Sequence, residues 1–159
     1  MERMNAVLRL LVLLSLTTFA NAAEPLRVMS FNVRNSNAQD RENAWPKRRE
    51  IFFEAIARFG PDLIGFQEVL ALQHDEISAR LSDYAFSGVA RDDGKRKGEW
   101  ALIAYRRAKF AEVAHGDFWL SEHPEEIGSK SWDAALTRSA HRTSFAPVRC
   151  PMRKTKRGR

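Results

Sequence analysis

From Gly60 to Val69 the chain reads Gly60-Pro61-Asp62-Leu63-Ile64-Gly65-Phe66-Gln67-Glu68-Val69. A short apolar run, Leu63 to Phe66, follows a Gly-Pro stop and gives way at once to the polar pair Gln67-Glu68. An apolar run this short, closed off on both sides, reads as a buried strand, placed here at Asp62 to Phe66. Buried strands in layered α/β proteins present polar residues at their carboxyl ends, where ligand crevices form. Glu68 is therefore the leading candidate for a metal ligand or an acid/base group. A helix cap or surface ion pair is the alternative role for it.

The flanking sequence supplies the partners such a strand needs. Leu26 to Asn32 alternates apolar and polar residues over most of its length, which predicts a strand ending near Asn32. A polar loop over residues 35–40 leads to Trp45-Pro46, where a proline at the first helical position is well placed. Phe52, Ala55, Ile56 and Phe59 recur at helical spacing and form the predicted core face. The order strand, helix, strand favours a parallel pair with a right-handed crossover. A second helix is predicted over about Leu70 to Leu81, with Leu70, Ile77 and Leu81 inward. A strand over Tyr84 to Ala90 then enters the charged turn Arg91 to Gly98, and Trp100 to Tyr105 returns as the second arm of a hairpin. Phe110 to Val113 and Asp117 to Leu120 are read as two further short strands. The result is a mixed α/β sheet.

Composition narrows the class. At 159 residues the chain fits one domain, and 44% apolar with 29% charged residues is the balance of a globular protein. A single cysteine, Cys150, allows no internal disulfide, so packing must hold the fold. No apolar run reaches the roughly 18–20 residues of a membrane span. Residues 1–22 read as a signal peptide: Arg3, an apolar centre from Leu10 to Leu16, and Ala20-Asn21-Ala22 as the cleavage site. Cleavage after Ala22 would give an exported, periplasmic or extracellular protein; an uncut N-terminal anchor is the alternative. The formal net charge of +6 is concentrated in residues 139–159, which hold seven Lys or Arg and no acidic residue. The body, 23–138, is slightly acidic, so the overall charge says little about what it binds.

Met29-Ser30-Phe31-Asn32-Val33-Arg34, followed by Pro61 to Val69 with its Gln67-Glu68 ending, resembles the endonuclease/exonuclease/phosphatase superfamily. Shorter matches at Gly88 to Lys95, Gly98-Glu99, Phe118 to Glu122, Pro124, Gly128-Ser129 and Trp132 to Ala135 resemble its secreted bacterial branch. The resemblance spans about Leu26 to Arg138, and the order and spacing of the motifs carry it. It implies two facing sheets with helices outside, and metal-assisted hydrolysis of a phosphoester such as a nucleic acid or sugar phosphate. It assigns Glu68 as the direct ligand of Mg²⁺ or Mn²⁺, with Asn32 alongside and Gln67 as a buttress. Glu99 and Arg91 are the residues expected to face substrate, with an exposed hairpin carboxylate and a solvated charge run as the alternatives. Trp45, Arg48 and Arg49 are assigned to packing and a solvated face, and Trp119 and Trp132 to the core.

The superfamily also uses a histidine at a T-H-x-x-H-like strand end, a D-x-N pair and a closing D-H, and this sequence contains none of them. His74, His115, His123 and His141 lie in no such context and are expected at the surface. The implied fold is thus incomplete, with residues 23–138 as its N-terminal half and an apolar face left open. After Arg138 the sequence shows neither periodicity nor resemblance. A shifted reading frame is one account of residues 139–159. A basic arm for nucleic acid or anionic lipid is the other. Three functions follow: a metal-dependent phosphoester hydrolase, a non-catalytic fragment, or a basic-tailed binding module.

Overall fold

The computed structural model describes residues 24–148. The signal peptide expected at residues 1–22 and the basic tail from residue 149 lie outside the described residues. Strand β1 (Val28–Asn32) leads through a 3-10 turn at Arg41–Asn43 into helix α1 (Trp45–Phe59). Strand β2 (Leu63–Val69), helix α2 (Ala71–Arg80), β3 (Tyr84–Ser87), β4 (Trp100–Arg106), β5 (Phe110–Trp119) and β6 (Ser139–Pro147) follow.

Pro46 lies in the first turn of α1, where its missing N–H costs nothing. Gly60 ends the helix with φ +61°, and its N–H donates to the Ile56 carbonyl at 2.8 Å. That left-handed cap is a conformation glycine adopts without steric penalty. The chain then enters β2, which pairs parallel to β1 from Val28 opposite Leu63 to Asn32 opposite Gln67. β4 flanks β2 on the other side, antiparallel, and β3 closes the sheet in the order β1-β2-β4-β3.

Alternation decides which face meets the helices. Ile64, Phe66, Leu102 and Ala104 are buried on one side and join Phe52, Phe53 and Ile56 of α1 and Ile77 of α2 in one core cluster. Phe52 is its centre, with its ring 4.9 Å from Phe31, 5.2 Å from Trp45 and 5.9 Å from Phe66. These tilted and edge-on contacts suit the quadrupoles of aromatic rings. On the opposite face β5 and β6 form a second, two-stranded antiparallel sheet. It meets the first where Phe145 lies 4.8 Å from Tyr105. The architecture is a mixed two-sheet α/β sandwich with outer helices.

Several details differ from the sequence expectations. The core face of α1 uses Phe52, Phe53 and Ile56, while Ala55 is exposed and Phe59 is 45% exposed. β2 does not stop at Phe66 but runs on through Gln67 and Glu68 to Val69. β3 ends at Ser87, because Gly88 at φ +137° turns the chain; a side chain there would sit 2.7 Å from the Ala101 carbonyl oxygen. The two short strands expected between Phe110 and Leu120 are one strand, β5, since β6 pairs along its whole length with a register shift between Glu112 and Ala114. Residues 139–147, which read as patternless, form β6. Pairing to a neighbour supplies the backbone hydrogen bonds there, whatever the local periodicity. Trp119 is buried as expected, but Trp132 is 68% exposed.

Candidate active site at the ends of the first two strands

The parallel pairing of β1 and β2 sets their carboxyl ends side by side, with Asn32 opposite Gln67. Between Phe66 and Val69 the ladder from β2 to β4 shifts register, and within that bulge Glu68 sits at φ +60°. A bulge inserts an extra residue and re-aims the side chain it carries. Here it delivers Glu68 to the same end of the sheet as Asn32. Left-handed φ at a non-glycine residue is a strained state that the surrounding contacts must hold.

Those contacts are specific. The Asn32 side-chain amide donates to Glu68 Oε1 at 2.9 Å, and the Asn35 backbone N–H reaches Glu68 Oε2 at 3.3 Å. The Asn32 amide oxygen accepts the Arg34 N–H at 2.8 Å, an Asx-type turn that fixes the amide's orientation. The Asn32 hydrogen bond is the largest influence on Glu68 and holds its carboxyl below the usual carboxylate range. Partial burial opposes this, while the Asn35 N–H, Arg34 and Arg138 reinforce it. Glu68 is therefore an ionised carboxylate at neutral pH.

Asn35 continues the network outward. Its side-chain amide donates to Glu99 Oε1 at 3.1 Å, and Arg91 Nη1 donates to Glu99 Oε2 at 2.6 Å. The Glu99 and Arg91 side chains are 19% and 13% exposed, so neither is a solvated hairpin charge. Arg91 Nε is buried without a hydrogen-bond partner among the described residues. The rest of the charged turn behaves differently. Lys95, Arg96 and Lys97 are exposed, their backbone N–H groups are gathered by Asp93 Oδ1, and Arg96 pairs with Asp75 at 2.7 Å.

A cavity of about 250 Å³ opens over this network, lined among others by Asn32, Glu68, Arg91, Glu99, Trp100 and Arg138. All four residues singled out from the sequence, Asn32, Glu68, Arg91 and Glu99, therefore share one cleft. Gln67 lines it too, its side-chain amide donating to the Gly65 carbonyl at 2.8 Å. Arg48 and Trp45 keep to packing: the guanidinium lies 5.1 Å over the Trp45 ring and donates to the Arg34 carbonyl.

Sequence reasoning missed Asn35 and Arg138. Asn35 had no signal beyond its place in a polar loop, and Arg138 arrives only because the long β5–β6 connection returns to the first sheet. No histidine lines the cavity. His74 stacks on Trp100 with centroids 4.4 Å apart. His141, expected at the surface, has a side chain only 1% exposed; Nδ1 lies 2.8 Å from Asp117 Oδ1 and Nε2 lies 2.9 Å from Ser87 Oγ. The reason is β6, which carries His141 between the two sheets.

Among the described residues no three His, Cys, Asp or Glu side chains are grouped to hold a metal ion. The donor set is instead two carboxylates in an open cleft, Glu68 held by Asn32 and Glu99 paired with Arg91, with Arg138 nearby. That set fits Mg²⁺, which takes one or two carboxylates with waters and substrate phosphate, and it does not fit the closed site of a structural zinc. Among the described residues no helix is long and apolar enough to cross a membrane.

No protein-family model matches the chain. An uncharacterized protein, R895, of Acanthamoeba polyphaga mimivirus is 26% identical, over 62% of this chain and 17% of its own length. The endonuclease/exonuclease/phosphatase from Bacteroides vulgatus is similar in structure, with a TM-score of 0.74 and 38% identity over 77% of this chain and 47% of that one. A mannosyl-6-phosphatase of Bacteroides thetaiotaomicron matches with a TM-score of 0.74 and 40% identity, over 77% of this chain and 46% of its own. The chain thus spans less than half the length of these relatives. With 38–40% identity and TM-scores of 0.73–0.74 over 77% of its length, this chain matches endonuclease/exonuclease/phosphatase family proteins of Bacteroides in sequence and fold.

Proposed function

We propose that this chain forms the metal-binding part of an exported, Mg²⁺- or Mn²⁺-dependent phosphoester hydrolase. The observation that carries the reading is the ionised Glu68, held by Asn32 and Asn35 at the mouth of a cleft that also contains Arg91 and Arg138. Glu68 is the direct ligand and Asn32 stands beside it. When bound, the ion supplies Lewis-acid stabilisation of charge on the phosphoryl oxygens. The chain's own residues do the rest. Asn32 keeps the Glu68 carboxylate ionised and aimed, and Asn35 spaces Glu68 from Glu99. Arg138 draws the phosphate into the cleft, and Arg91 holds Glu99 at its wall, where that carboxylate can accept a substrate hydroxyl.

A phosphate ester on a small polar group fits a cleft of this size, and the mannosyl-6-phosphatase relative supports a sugar phosphate ahead of a nucleic acid. The leader-like segment at residues 1–22 supports export. No histidine lines the cleft, so the side chains present offer no neutral base for water, a contribution typically worth about 10²–10⁴-fold. The 159-residue chain by itself is accordingly proposed to bind metal and phosphate while turning over slowly. A binding module without turnover is the second reading, favoured by the same missing histidine.

The test is hydrolysis of p-nitrophenyl phosphate and bis-p-nitrophenyl phosphate with Mg²⁺ or Mn²⁺, alongside calorimetric titration with Mn²⁺. The hydrolase reading expects slow, metal-dependent release that vanishes in Glu68→Ala together with Mn²⁺ binding. Mn²⁺ binding with no release from either ester leaves the binding module. Wild-type protein that binds no Mn²⁺ removes the metal-site assignment.

A further inference from the structure

Gln73 is a polar side chain with no exposure at all, on the first turn of α2. Its amide oxygen accepts from two backbone N–H groups, Ser36 at 3.0 Å and Leu70 at 3.1 Å. Its amide nitrogen donates to the Arg34 carbonyl at 2.9 Å. Arg34 and Ser36 are the two neighbours of Asn35, and Leu70 lies two residues beyond Glu68. One buried amide therefore grips the loop after β1 on both sides of Asn35 and the exit of β2 just past the bulge. A buried glutamine costs free energy unless its amide is paired, and these three bonds pair it. They also leave the loop little freedom to slide over Glu68.

We propose that Gln73 is a positioning residue for the site, setting Asn35 between Glu68 and Glu99. The assignment rests on the hydrolase reading for its purpose, and on the hydrogen bonds alone for its geometry. Asn35 makes its 3.3 Å backbone contact to Glu68 and its 3.1 Å side-chain contact to Glu99 only while the loop keeps this height. The Arg34 carbonyl also accepts from Arg48 at 2.6 Å, the Arg34 N–H donates to Asn32 at 2.8 Å, and the Val33 N–H donates to the Gln67 carbonyl at 3.0 Å, so the start of the loop has further tethers. Among the described residues Ser36 has only Gln73 as a side-chain partner, which makes that bond the one that fixes the inner edge.

The experiment is amide hydrogen exchange by NMR on the full 159-residue chain, comparing wild type with Gln73→Leu. The fully buried Ile77→Val serves as a control on the same helix. The Asn35 and Ser36 amides should exchange about tenfold faster or more in Gln73→Leu, the size of one lost hydrogen bond. Both should stay within about twofold of wild type in Ile77→Val, while β1 and β2 amides remain protected in each protein. Where Gln73→Leu does not fold, Gln73→Asn, polar but one methylene short, carries the same expectation. Unchanged Asn35 exchange overturns the proposal, and so does equal loosening in Ile77→Val. Mn²⁺ broadening of the Asn35 and Glu68 amides is recorded in the same samples. Its absence in wild type removes the metal reading, while the exchange data still decide the role of Gln73.

Discussion

At Glu68 the backbone pays a conformational cost that the side chain turns to use. A residue at φ +60° is disfavoured for an L-amino acid by roughly 1–2 kcal/mol, and glycine escapes that cost. Two substitutions separate the backbone from the carboxylate. Glu68→Gly should be more stable than Glu68→Ala by about 1 kcal/mol in urea unfolding, because only alanine keeps the left-handed strain. Both should lose Mn²⁺ binding. Equal stabilities for the two would mean that the bulge relaxes once the carboxylate is gone. The place of Glu68 at the cleft end of β2 was legible in the sequence, from the polar pair Gln67-Glu68 that closes a short apolar run. Its strained backbone was not. Nothing in Gln67-Glu68-Val69 marks a bulge, and that conformation exists because Asn32 and Asn35 hold the carboxylate from another segment.

Elements were legible wherever a local rule decided them. Gly60 and Pro61 fixed the end of α1, and apolar spacing placed both helices to within a residue or two. β6 shows the opposite case. Residues 139–147 carry no alternation, and their partner, β5, lies across the long connection from Leu120 to Arg138. His141 is then placed by the strand rather than by its own polarity. It bridges Asp117 of β5 and Ser87 of β3, so it joins the two sheets through side chains that are mostly buried. Replacing it with leucine leaves Asp117 and Ser87 without that partner, a loss of about 1–3 kcal/mol. The denaturation midpoint of His141→Leu should fall accordingly, with the slope against urea unchanged. A midpoint equal to that of wild type would mean that β6 is not packed against the first sheet through this residue.

On the scale of the whole molecule, the end of the sheet away from the cleft is closed by Asp62. Its side chain is only 4% exposed and takes charge contacts from separate parts of the chain. The Arg27 N–H before β1 donates to it at 3.0 Å, Lys109 before β5 pairs with it at 2.9 Å, and Arg106 at the end of β4 lies 3.8 Å away. Burial pushes the Asp62 carboxyl up, but the Arg27 N–H, Lys109 and Arg106 together pull it further down, so it stays below the ordinary aspartate range. A carboxyl with a depressed folded pKa contributes stability that is complete above its unfolded value, about 3.9, and is lost as pH falls through the folded one. Asp62→Asn cannot lose what it never had. At neutral pH it should be less stable than wild type by about 1–2 kcal/mol, a figure kept small because Lys109 and Arg106 are partly solvated. As pH falls below 4 the wild-type advantage should shrink and the two urea midpoints converge. Parallel curves over that range would mean that the lysine and arginine do not hold this carboxylate, and that the join between β1, β4 and β5 rests on packing alone.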